Sequence, residues 1–545
     1  MKRFAALYLE LDRTTKTSRK VDALARYFRD ARAEDAAWAF FFLSGRRIKR
    51  LMPGARLALF AVENANIAPW LFDECGNATG DLAEAAALVL PAPSTNARAL
   101  SLAEIVRDRV LPLRDADLDE QRALVTSTWD DLTADERFVW NKILTGAFRV
   151  GVSELLVLRG ISVATGVEPG VLKHRSMGDF TPSSSWWADL VAKDGDNSAG
   201  AGANRPDRPY PFCLAHPLDF AVDELGDVDD WQVEWKWDGI RGQLIRRDAI
   251  TIWSRGEELV TEQFPEIVEA ARALPKGVVL DGEILPWRDR VLGFGELQRR
   301  LNRKKLSAAL LADVPIAFVT YDLLEHDGVD VRGRPLSERR ALLETIVAAL
   351  GDERVKLSEI VKGASWAALA ETRKESRARS VEGFMLKKRT SRYGVGRKRG
   401  EWWKWKIDPF SVDAVLVYAQ HGSGKRASLY TDYTFAVWTD DAHTELVTFA
   451  KAYSGLTDDE IKEVDAFVRR NTIEKFGPVH HVKPELVFEL GFEGIARSTR
   501  HKSGVAVRFP RMLRWRRDKT ANEADTVDTL RALLAASAAT AATAT

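Results

Sequence analysis

The amino-acid sequence predicts a multidomain chain: an all-α region, then an α+β region, then a small β-barrel. Three observations predict it. The chain has 545 residues, more than a single hydrophobic core organises, so roughly two to four domains are expected. Apolar residues recur at three- and four-residue spacing in the first part and in short alternating runs thereafter, the periods of helix and strand. Between the two, KDGDNSAGAGANRPDRPYP at 193–211 is dense in Gly, Asn, Asp and Pro and disfavours regular structure.

The elements come in this order. Residues 1–192 read as helical, with Val21, Leu24, Tyr27 and Phe28 on one helical face and Ala36 to Leu43, closed by Gly45, as a buried helix with its stop signal. Residues 193–211 are the expected linker. Residues 212–408 carry strand-type runs at Trp231–Trp235, Ala249–Trp253, Val278–Leu285, Ile316–Leu323 and Val381–Lys387, with helical segments such as Arg339–Leu350 between them. Residues 409–525 add strand candidates at Val412–Tyr418, Thr434–Trp438, Pro484–Leu490 and Val505–Phe509, spaced as in a small barrel. Residues 526–545, ending in AASAATAATAT, are of low complexity and are expected to be a disordered tail.

Bulk composition narrows the class. The formal net charge of +1 conceals a run from Lys387 to Lys406 with nine Lys or Arg against one acid, Glu401. Such a run calls for an anionic partner. Trp402, Trp403 and Trp405 lie inside it, and a merely solvated face seldom carries three tryptophans. The only cysteines are Cys75 and Cys213, which excludes a disulfide framework and a four-cysteine zinc site within one chain. The first residues, MKRFAALYLELDR, lack a signal-peptide core, and no run of about eighteen apolar residues occurs, so a reducing cytoplasm is expected.

The stretch VEWKWDGIR, 233–241, sets Lys236 between two tryptophans. A lysine stem often lies along an indole while its head reaches water. The residues downstream point elsewhere: SRG at 254–256, LDGEI at 280–284, TYDLL at 320–324, VEGFMLK at 381–387, EWWKWK at 401–406 and FPRMLRWRRDK at 509–519. A lysine attacks phosphorus only as the free amine, and cationic neighbours with apolar walls favour that form. If strand alternation turns Trp235 and Trp237 to one face, they anchor the strand and leave Lys236 aimed into a cleft.

In order and spacing these motifs resemble the nucleotidyltransferases that form a covalent lysyl-nucleotide, the superfamily of ATP-dependent DNA ligases, RNA ligases and capping enzymes. The resemblance covers 231–519 and implies Lys236 as the nucleophile, Lys404 and Lys406 on the α-phosphate, and Arg241 and Arg255 on the nucleotide sugar or nick phosphate. It places Arg399 among the ATP contacts, Glu234 on the purine edge and Tyr321 stacked on adenine, with Phe318 as the fallback. Glu283 is implied to bind ribose or metal, Glu382 and Asp238 to bind Mg²⁺ or Mn²⁺, and Arg514, Arg516 and Lys519 to reach over the pyrophosphate.

The last motif is similar to the FPRFxRxRxDK pattern of ATP-dependent DNA ligases, and TGAFRVGVSE at 145–154 resembles the G-x-L-R-I-G-x-x-E segment of the helical DNA-binding domain of cellular and archaeal ligases. Gly146, Gly151 and Arg149 are then the expected DNA contacts. The resemblance implies a helical DNA-binding domain at 1–192, an adenylation domain at 212–408 and an oligonucleotide-binding (OB) fold at 409–525. It implies a monomeric enzyme of replication, repair or recombination that seals nicked duplex, with exonuclease and helicase partners on family resemblance alone. NAD-dependent ligases carry the zinc module that two cysteines cannot build. The alternatives are an RNA-joining or capping enzyme and an inactive nucleic-acid-binding scaffold.

Overall fold

A computed structural model of the protein describes residues 1–49, 51–92, 99–146, 148, 150–193, 208–301, 303, 306–422, 426 and 428–542. The described chain divides into two compact units. One joins Met1–Gly166 with Pro182–Trp187 and Pro409–Ser537; the other holds Val167–Thr181 and Ala188–Asp408. Most of the expected linker at 193–211 lies outside the described residues. Among the described residues no helix is long and apolar enough to cross a membrane.

In the first unit the described residues of the N-terminal segment form helices joined by loops, with no strand among them. Helix Ala33–Leu43 is apolar on all sides from Ala36 onward, after Glu34 and Asp35 in its first turn, and buries Trp38, Phe40 and Phe42. The starts of helices are fixed by side chains that satisfy orphan amides: capping boxes form at Ser101 with Glu104, Asp117 with Glu120, and Thr133 with Glu136. The C-terminal segment is β-rich. Strand Phe410–His421 is its spine, pairing antiparallel with Tyr430–Trp438 and Val487–Phe492. Its inward residues, among them Val412, Leu416, Phe435, Phe488 and Leu490, form one core.

The expected disordered tail needs correction. Val527–Ala542 is a helix, and Val527 and Leu530 are buried in that same core, with Leu533 and Leu534 packed on it. A chain that looks featureless by composition is ordered at its start by four apolar side chains at helical spacing.

The second unit is built on two main sheets. Six strands include the order Ile250–Ser254, Ile240–Arg246, Val278–Pro286, Ile316–His326, with Val355–Leu357 parallel to the last. Four others run His216–Pro217, Trp402–Lys406, Val381–Lys388, Trp231–Trp237. Each sheet has its own apolar backing: Phe264, Ile267, Leu280 and Phe318 behind the first, and Trp231, Trp235, Phe384, Leu386 and Trp403 behind the second. Asp281-Gly282 lies mid-strand within Val278–Pro286, in agreement with the strand-type run at Val278–Leu285.

Candidate active site

The four-stranded sheet sorts its side chains by alternation. Val233 and Trp235 stand opposite Leu386 and Phe384, which stand opposite Trp403 and Trp405, and this face is the apolar core. On the other face Glu234 is opposite Met385, and Met385 opposite Lys404. Lys236 therefore points away from the core because Trp235 points into it. The indole nitrogens of Trp235 and Trp237 pin the strand further by donating to Glu359 at 3.2 Å and to Ser358 at 3.1 Å.

Alternation alone would send Glu382 to the core face with Phe384 and Leu386. A bulge between Val381 and Phe384 reverses it. Gly383 carries the bulge at φ +122°, and a Cβ there would run into the carbonyl oxygen of Trp405. Glu382 is thereby turned onto Lys236, with which it forms a half-buried ion pair, and onto Lys406 at 3.2 Å. Burial would raise the Glu382 pKa, but Lys236 and Lys406 outweigh it and hold the carboxyl below its usual range.

A pocket opens over this face. Its lining includes Glu234, Lys236, Arg241, Arg255, Glu283, Tyr321 and Lys404. Residues from several separate motifs of the resemblance thus converge on one cavity. The lining sets Lys236, Arg241, Arg255, Lys387 and Lys404 against Glu234 and Glu283, and burial first, then Lys236, Arg397, Arg255 and Lys406, depress Lys404 to about 8. A cavity of that sign accepts an anion. Glu283 is pushed up to about 7 by burial, against the pull of Lys236 and Arg241.

Arg241 is placed differently from a free ligand contact. Its guanidinium grips Asp281 with both Nε at 3.2 Å and Nη2 at 2.7 Å, and donates to the Cys213 carbonyl at 2.7 Å. Asp281, fully buried, also accepts from the Tyr393 hydroxyl at 2.7 Å. Tyr321 lies under two cations, the Lys387 ammonium 4.3 Å and the Arg241 guanidinium 5.7 Å from its ring centre. Phe318 is in the core of the six-stranded sheet, which removes it as an alternative base platform.

Sequence reasoning missed Lys387, Trp402 and Asp281. The signal was present for the first two: Lys387 has the parity of Met385, and Trp402 that of Lys404, so both belong to the pocket face, and both line it.

Three sequence profiles match the chain: "DNA ligase N terminus" at 1–162, "ATP dependent DNA ligase domain" at 213–406 and "ATP dependent DNA ligase C terminal region" at 426–519. A protein of Koribacter versatilis (strain Ellin345) described as a probable DNA ligase is 34% identical over 544 residues, spanning 94% of this chain and 92% of its own. The chain belongs to the ATP-dependent DNA ligase family. A probable DNA ligase of Streptomyces avermitilis is 30% identical over 532 residues, spanning 96% of this chain and 97% of its own. A solved structure titled Pmar-Lig_PreS3 shares the fold, with a TM-score of 0.60 and 16% identity over 94% of this chain and 99% of that one. Family membership makes ATP the adenylate donor and nicked DNA the substrate, and decides against the RNA-joining and capping alternatives.

Several residues expected to serve the ligase reaction lie outside the pocket lining. Arg399 is exposed, 3.4 Å from Asp219 and over the Trp403 ring. Asp238 sits half-buried in the turn after Trp237. In the first unit Arg514 pairs with Glu489 at 2.9 Å, while Arg516 and Lys519 both reach Asp413 at 2.7 Å. Gly146 and Gly151 both adopt positive φ, the first as the cap of helix Ala134–Thr145 and the second with its carbonyl held by Lys20. Arg149 lies outside the described residues.

Glu283 gives a pH test. Its folded pKa lies above that of an exposed carboxyl, so the folded state binds the proton more tightly. Stability is then lost as pH rises from the unfolded pKa toward about 7. Glu283→Gln removes that loss. Its melting temperature should match wild type near pH 4.5 and exceed it by a margin that grows up to about pH 7; a constant difference across the range would contradict the assignment.

Proposed function

We propose that this ligase seals 3′-hydroxyl/5′-phosphate nicks in duplex DNA through an AMP carried on Lys236. The observation that carries the reading is the convergence of Lys236, Glu283, Tyr321 and Lys404 on one positively charged cavity. The Lys236 amine forms a bond to the α-phosphorus of ATP and gives up a proton to solvent as the bond to pyrophosphate breaks, the pyrophosphate leaving with the electron pair. The AMP then passes to the 5′-phosphate of the nick, and the 3′-hydroxyl displaces it. Each step is governed by positioning and charge neutralisation.

Lys404 and Lys406 sit on the face where the α-phosphate has to lie, and Arg255 on the rim. Tyr321 and Trp402 offer ring faces to the base. Lys236 is held by Glu382 until the nucleotide arrives, and Lys406, paired to the same carboxylate, completes a relay of charge that the triphosphate enters. Glu382 and Glu283 are the carboxylates that would hold Mg²⁺, and the fit is that of a metal taking one or two carboxylates and completing its shell with water and phosphate oxygens. Glu283 is a buried carboxyl whose charge its neighbours do not fully compensate, as a cation-binding group would be. Among the described residues no three His, Cys, Asp or Glu side chains group closely enough to hold a metal by themselves, so Asp238 does not complete a three-carboxylate centre. Bound there, the metal would neutralise charge on the triphosphate.

In this reading the β-rich segment from Phe410 is an OB fold bringing Arg514, Arg516 and Lys519 to the pyrophosphate, and the helical segment binds duplex through phosphates around Gly146–Gly151. The enzyme acts as a monomer. The test is incubation with α-labelled ATP and Mg²⁺, mapping of the labelled residue, and sealing of a nicked duplex. Label on Lys236 that is chased to the nick is the expected outcome; label on another residue, or none, overturns the proposal.

A further inference from the structure

Gln232 lies on the pocket face, two residues before Glu234, and is fully buried. Its amide nitrogen donates to Glu234 Oε1 at 2.6 Å, and Lys387 Nζ donates to the same oxygen at 3.0 Å. Because a carboxylate only accepts, the amide orientation is fixed by its partner. Both donors converge on Oε1. Among the described residues Glu234 Oε2 takes no hydrogen bond, and Glu234 lines the pocket. Lys387 is held in its turn, 4.3 Å from the Tyr321 ring centre and 4.8 Å from that of Trp402.

Gln232 also leaves its own carbonyl oxygen buried and without a partner. An unpaired buried acceptor is costly, and a residue retained only for packing would be replaced by an apolar one of the same length. The cost makes sense if the amide nitrogen is what the site needs.

We infer that Gln232 is a positioning residue for base selection: by occupying Glu234 Oε1 together with Lys387, it keeps Oε2 as the acceptor offered to the nucleobase. A purine with an amino group at that edge, adenine, donates to Oε2; one with a carbonyl, as in guanine or hypoxanthine, meets it acceptor to acceptor. Without the amide, the carboxylate is free to turn both oxygens to Lys387, Oε2 withdraws, and the penalty on the carbonyl falls. This role of Gln232 rests on the lysyl-AMP reading.

The test is Gln232→Met, which preserves length and bulk, in the full-length enzyme, with the rates of covalent labelling from ATP, GTP and ITP measured side by side. Wild type labelled by ATP is the control for the lysyl-AMP reading itself; failure there sinks that reading, whatever the variant does. Given that control, the expected result is a rise of about tenfold in the ITP-to-ATP and GTP-to-ATP ratios of kcat/KM, while ATP labelling persists; tenfold is the selectivity carried by about 1.4 kcal/mol. An unchanged ratio, including one accompanied by a lower melting temperature, shows that Gln232 merely supports the buried ion pair and overturns the inference. Gln232→Ala, read by the same ratio, guards against a fault peculiar to Met.

Discussion

Lys236→Arg carries no AMP after incubation with labelled ATP, and its sealing of a nick from ATP falls by at least about 10⁴-fold, the scale on which enzymes lose rate with their nucleophile. Arginine keeps the positive charge and can keep the ion pair with Glu382, so the fold and the electrostatics of the pocket change little. What it cannot do is give up its proton to become a nucleophile. The variant separates the steps. Sealing of a nick already carrying AMP on its 5′-phosphate uses no lysine amine and should persist within about tenfold to a hundredfold of wild type. Retention of ATP-dependent sealing would remove Lys236 from the mechanism, whereas equal loss on both substrates would mean that the substitution had damaged the site as a whole.

Much of this site can be read from sequence because strand alternation carries it. Once Trp235 is assigned to the core, Glu234 and Lys236 must face the other way, and the same parity rule puts Lys404 and Lys406 beside them. The rule fails where the strand breaks step. Glu382 reaches Lys236 only through the bulge at Gly383, a local two-for-one mismatch with its neighbour that no periodicity announces. Val278–Pro286, by contrast, is legible as a strand, and what the run alone does not show is why Gly282 stands in it: a Cβ there would come within 2.7 Å of the Phe318 ring. The ordered helix at Val527–Ala542 is hidden for a different reason. Alanine-rich composition resembles a tail, and only the core that Val527 and Leu530 enter distinguishes the two. Arg514, Arg516 and Lys519 are legible as a basic motif, but their pairing with Glu489 and Asp413 depends on strands distant in sequence.

Asp281→Ala should be the most destabilising single change near the pocket, by about 3 to 5 kcal/mol, as for other buried ion pairs that lose one partner. Burial works against the Arg241 charge, and Asp281 outweighs it, holding the guanidinium pKa well above its ordinary value. Removing Asp281 leaves that charge, among the described residues, with the Cys213 carbonyl and the Tyr393 hydroxyl as its hydrogen-bond acceptors, and leaves the hydroxyl without its own acceptor as well. For a unit of this size the melting temperature should drop by about 10 °C. Asp281→Asn, which fills the space and keeps one acceptor but leaves the Arg241 charge uncompensated, should recover only part of the loss. The paired change Arg241→Met with Asp281→Leu removes both charges at once, so on the physics of desolvation it should recover most of the stability. Adenylylation should not recover with it, because the arginine beside Tyr321 is gone. Calorimetry and ATP labelling on the three proteins separate the two contributions. Should Asp281→Ala melt within about 2 °C of wild type, a shift too small for the loss of a buried ion pair, the pair would not be what holds the strand carrying Arg241 against the strand carrying Glu283.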